Sequence, residues 1–138
     1  MTLNQVCKRV DYWRSKLQAL GISHWSITVS VVDEPQAGRR NAPAAASVGI
    51  EDLYDTADIQ FRADMVPAGA YSDPDFDRYI VHEMLHVAMR DWDAAIHSVD
   101  EHLSPATAAQ WIDRLEHEEE GVVDRIARAI VAANASAK

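Results

Sequence analysis

Asp73-Pro74-Asp75-Phe76-Asp77-Arg78-Tyr79-Ile80-Val81-His82-Glu83-Met84-Leu85-His86 reads both as the opening of a helix and as a candidate metal site. Asp73 is a favoured N-cap residue, and Pro74 suits the first helical position, where no backbone N–H is needed. Together they predict a helix running from there to about residue 92. On it, His82 and His86 stand four residues apart, so both imidazoles project from one face and can reach a single cation. Neutral imidazole is a good zinc ligand, but two ligands leave a tetrahedron half empty, and a third must come from elsewhere in the chain. Glu83 follows the first histidine, close enough to take a proton from water without ligating the ion itself. Zinc brings the pKa of its water to about 7, so a carboxylate can complete the deprotonation near neutral pH. The bland alternative is two surface histidines on an amphipathic helix. A buried, metal-free cluster would desolvate two imidazoles and a carboxylate together, which is costly.

Outward from this helix the pattern is that of an α+β domain. Upstream, Val6, Val10, Trp13, Leu17 and Leu20 recur at helical spacing over 4 to 20, and Gly21 supplies a stop. Three short strands are predicted at 25 to 32, 46 to 51 and 57 to 62, the last alternating cleanly. Residues 35 to 46, with Gly38, Arg39, Arg40, Asn41 and Pro43, read as a surface loop. Downstream, Ser104-Pro105 repeats the cap-and-proline start, and Ile112, Leu115, Val122, Val123, Ile126 and Ile130 mark a long final helix to about 133, followed by a frayed tail. The order is an N-terminal helix, a small three-stranded sheet, the histidine helix and a long C-terminal helix, all in one domain spanning residues 1–138.

The third ligand has several candidates: Glu116, Glu118, Glu119, Glu120, His97, His102 and His117. A helical wheel over 112 to 130 places Glu119 near the centre of the apolar face, with Glu116 and Glu120 on its margin. Glu120 is followed one turn later by Asp124, and a carboxylate in that position can fix a ligating imidazole through its other nitrogen. Glu120 and Glu119 therefore both stand, with the pattern favouring Glu120. The bland reading, a solvated acidic face, holds for residues such as Glu118.

The pairing of His82-Glu83-x-x-His86 with a later Glu120-x-x-x-Asp124 resembles the gluzincin, thermolysin-like metallopeptidases. Residues 119 to 129 are similar to the third-ligand helix of minimal phage and prophage peptidases and, more distantly, of ImmA/IrrE-type peptidases. The resemblance covers about 79 to 90 and 116 to 130. It implies a zincin-like fold, Zn2+ held by His82, His86 and Glu120, and Asp124 fixing an imidazole. It further implies an edge strand at 57 to 62 that pairs with an extended peptide. The implied reaction is peptide-bond hydrolysis in the cytoplasm of a bacterium or phage-infected host, with Glu83 as general base and an unidentified regulatory protein as a possible partner. The gap of 33 residues between His86 and Glu120 exceeds the shortest gluzincin spacing and leaves room for an inserted segment. Metzincins need Gly and His where this chain has Met89 and Trp92. SprT-type proteases usually add a cysteine-rich zinc module and a basic surface, and this chain has neither. The rival reading is a zincin-fold binding module or phage accessory protein without turnover.

Composition narrows the partners. Thirteen Lys and Arg against 22 Asp and Glu give a net charge of −9, which opposes binding to a phosphate backbone, so nucleic acid is not expected. No apolar run suits a membrane span, and the opening residues lack the apolar stretch of a signal peptide. One cysteine, Cys7, excludes an internal disulfide and sits at packing positions of the first helix. His97 and His102 are expected as polar loop residues, and Trp13, Trp25, Trp92 and Trp111 as core. Arg39 and Arg40 fit a soluble loop. Tyr54, Tyr71 and Tyr79 are candidates to hydrogen-bond an oxyanion, and spacing selects none of them.

Overall fold

The computed structural model describes residues 1–35, 45–51, 54–68 and 73–137. It is α+β, with four helices and a three-stranded mixed sheet. The first helix, α1 (Leu3–Lys16), starts from a capping box in which Thr2 and Gln5 satisfy each other's backbone N–H groups. It buries Val6, Arg9, Val10 and Trp13 along one face. Two short 3₁₀ turns follow, Gln18–Leu20 where the sequence predicts further α-helix and Ile22–His24 beyond its expected end, and Gly21, at φ +79°, makes the left-handed step between them.

The strands are β1 (Ser26–Val32), β2 (Ala46–Glu51) and β3 (Thr56–Arg62), each within a residue of expectation. Their spatial order is β1-β3-β2, with β3 parallel to β1 and antiparallel to β2. Asp55, at φ +48°, leads into β3, a conformation that Asp tolerates better than most residues, and its carbonyl accepts from the Ser26 N–H. Strand β3 buries Ala57, Ile59 and Phe61 on alternate positions, which gives the sheet one core-facing side. The placement of 57 to 62 at an edge is therefore corrected: this strand is central and paired on both sides, while β1 and β2 form the edges. Its clean alternation carries information about faces and none about neighbours.

Helix α2 (Pro74–Ala88) is capped by Asp73, whose side chain accepts from the N–H groups of Asp75 and Phe76. It packs against α1, β2 and the last helix, and accordingly buries residues around much of its circumference: Phe76, Ile80, Val81, Met84, Leu85 and Val87. Phe76 meets Phe61 of β3, ring centroids 5.0 Å apart, and this pair fixes the start of α2 on the sheet. Arg9 and Asp77, both buried, form a two-pronged ion pair that joins α1 to the first turn of α2.

The helix predicted to reach residue 92 ends at Ala88, and a separate short helix, α3 (Arg90–His97), follows the Met89 cap. The last helix, α4 (Pro105–Ser136), begins at the Ser104 cap and runs three residues beyond its expected end. Ala108, Glu119, Val123, Ala127 and Val131 mark its buried stripe, and its main partner is α2. Near its far end Asn134 accepts from the Tyr12 hydroxyl of α1 at 3.0 Å. No helix among the described residues is long and apolar enough to cross a membrane. Two of the four tryptophans depart from expectation: Trp13 and Trp25 are core, whereas Trp92 and Trp111 are 52% and 47% exposed. Both exposed rings belong to the helices flanking the 98 to 104 connection, outside the packed α1–α2–sheet centre. Most of the 35 to 46 loop, with Arg39 and Arg40, and Tyr71 lie outside the described residues.

Candidate metal centre

Helix α2 carries His82 and His86 on the side that faces α4, one turn apart, with their ring centroids separated by 4.9 Å. Their Nε2 atoms approach to 3.1 Å. From α4, Glu120 reaches across so that Oε2 lies 3.2 Å from His82 Nε2 and Oε1 lies 3.2 Å from His86 Nε2. Three donor atoms from three side chains thus converge, all within 4.8 Å of one another. A tetrahedral zinc ion with bonds of about 2.0–2.1 Å sets neighbouring ligand atoms about 3.3–3.4 Å apart. The two imidazole nitrogens, 3.1 Å apart, and the Glu120 oxygen nearest each, 3.2 Å away, approach that value, with His82 and His86 facing different oxygens of the carboxylate; two imidazoles and one carboxylate are a donor set that suits a divalent cation.

Charge supports the same fit. Glu83 is only 6% exposed, and burial pushes its carboxyl up to about 7, although His82 and His86 pull the other way. Glu120 is half exposed, and hydrogen bonding from His82 and then His86 holds it well below the usual carboxylate range. For His86, burial works to lower the pKa, but the hydrogen bond to Glu120 and the charges of Glu83, Glu120 and Glu119 outweigh it and raise it. Glu120, held ionised beside the two imidazoles, offers a negative charge to a cation.

Of the two candidates for third ligand, Glu120 is the one brought to the shared point. Glu119 is buried on the other side of His86, its Oε1 3.8 Å from Nδ1. Asp124 does not take the role expected from the resemblance: its Oδ1 accepts from Arg78 Nη1 at 3.2 Å and its Oδ2 from Arg128 Nε at 2.8 Å. Asp124 is held instead between Arg78, one turn before His82 on α2, and Arg128, one turn on along α4. Burial opposes it, but these two arginines keep the Asp124 carboxyl below its ordinary value. Sequence reading missed Arg78, although counting back four residues from His82 would have placed it on the same helix face.

The remaining candidates fall away from the centre. His97 belongs to α3 rather than a loop and pairs with Glu116 at 3.1 Å, tying α3 to α4. His102, His117 and Glu118 are exposed. Tyr54 is largely exposed, and the Tyr79 ring lies under the Arg78 guanidinium, 4.8 Å from its carbon.

No family model, curated protein or solved structure matches this chain.

Proposed function

We propose that this protein is a zinc metallopeptidase that hydrolyses peptide bonds. The observation carrying the reading is the convergence of His82 Nε2, His86 Nε2 and the Glu120 carboxylate beside a buried Glu83 with a pKa about 7. Zinc bound there would supply Lewis-acid polarisation of the scissile carbonyl and a more acidic water. His82 and His86 would hold the ion as neutral imidazoles through Nε2, and Glu120 would add one negative charge while lying open to solvent on its far side. Glu83, adjacent to the ligands, would take a proton from the attacking water on its carboxylate, which a bound cation would help keep ionised, and return it to the leaving amine. A substrate in extended form would add to the outer edge of β2, the sheet edge that packs beside α2, by backbone pairing.

Metal analysis and a proteolysis assay test this together. Protein purified without added zinc should carry close to one equivalent, and His82→Ala and Glu120→Ala should lose it. Glu83→Gln should keep the metal and lose cleavage of an unfolded protein such as casein by 10²-fold or more. Unchanged cleavage in Glu83→Gln would overturn the mechanism. Stoichiometric zinc without any turnover in the parent protein would favour the binding-module reading.

A further inference from the structure

Glu119 and Glu120 are consecutive on α4, so their side chains leave the helix about 100° apart. The ring of His86 is held between them. On one side its Nε2 faces Glu120 Oε1 at 3.2 Å and His82 Nε2 at 3.1 Å; on the other, its Nδ1 faces Glu119 Oε1 at 3.8 Å. Glu120 is half exposed, as befits a group that an ion or solvent can reach, whereas the Glu119 side chain is only 6% exposed. A carboxylate buried on α4's packing face against the non-ligating nitrogen of a histidine is the arrangement that fixes a ligating imidazole's tautomer and orientation. Asp124, the residue the sequence pattern offers for that work, has both oxygens engaged by Arg78 and Arg128.

We infer that Glu119 is a positioning residue for the metal centre: it accepts the Nδ1 proton of His86, locking the ring so that Nε2 is presented to the ion, and does not itself ligate. The inference rests on the metal reading above and assigns Glu119 a role distinct from that of Glu120. The separation of 3.8 Å is longer than a hydrogen bond, and side-chain rotation that brings the two tips about 0.6–0.9 Å closer makes one.

Zinc titration against a competing chelator, with long-range ¹H–¹⁵N spectra of the histidines, tests the assignment. In the zinc-loaded parent protein, His86 should show a protonated Nδ1 and a metal-bound Nε2; a metal-bound Nδ1 overturns the proposal without any variant. Glu119→Ala should still bind one equivalent but 10- to 100-fold more weakly, with the His86 Nδ1–H signal shifted or lost to exchange. Glu119→Gln, which keeps the volume and an acceptor oxygen, should recover most of that loss. Unchanged affinity in both variants overturns the proposal. So does loss of stoichiometric binding in Glu119→Ala alongside retention in Glu120→Ala, which would make Glu119 the ligand. Failure of the parent protein to bind zinc, or full retention in His82→Ala, would instead sink the metal reading itself.

Discussion

Glu83 is where burial and chemistry meet most directly. Its folded-state pKa of about 7 exceeds the ordinary 4.5, so in the metal-free protein the stability tied to its protonated form is complete below pH 4.5 and lost as pH rises through 7. The interval corresponds to about 3 kcal/mol. Metal-free Glu83→Gln should therefore be more stable than the metal-free parent at pH 8 by up to this amount, and equal to it near pH 4; denaturant midpoints across that range check the prediction, and a constant difference would refute it. The histidine pair and Glu83 were legible because a four-residue interval has one geometric meaning on a helix. Glu119 and Glu120 were both visible as candidates, but a wheel gives direction to within a sector, and the two flank His86 from adjacent sectors. What separated them was the depth of each side chain in the α2–α4 interface, which belongs to packing.

Between elements, the α2–α4 interface is where the reading most needed coordinates. Asp124 sits one turn after Glu120, and from sequence its partner reads as an imidazole; in the fold its two oxygens accept from Arg78 and Arg128. Arg78→Ala should cost the metal-free protein about 1 kcal/mol, small because Asp124 is 35% exposed and keeps Arg128. Asp124→Ala should cost a similar amount, and the double variant less than the sum, in urea unfolding. Full additivity would show that the two side chains do not act as a pair. The end of α2 was unreadable for a related reason. Nothing between Met89 and Trp92 is a helix breaker, so no local signal marks the change of direction into α3, which is set by the docking of α3 on α4 through pairs such as His97 and Glu116.

At the scale of the whole molecule, the α+β class, three strands and two long helices followed from hydrophobic periodicity and caps, because those depend on neighbours in the chain. Strand order did not, since β1-β3-β2 depends on pairing between segments distant in the chain, which local periodicity does not encode. Phe61 illustrates what that order accomplishes: it stands on the central strand and meets Phe76 at the entrance to the histidine helix. Phe61→Ala should destabilise the fold by about 3–5 kcal/mol and weaken metal binding through displacement of α2; calorimetry with and without zinc would detect both, and a stability loss under 1 kcal/mol would contradict the packing described. The donors also come from distant parts of the chain, two from α2 and the third from α4, beyond α3 and the 98 to 104 connection. An ion captured by all three would rivet the polypeptide into a closed ring. A cut in that connection would then leave two fragments joined at the rivet, and a chelator would weaken their union where an intact backbone would conceal the loss.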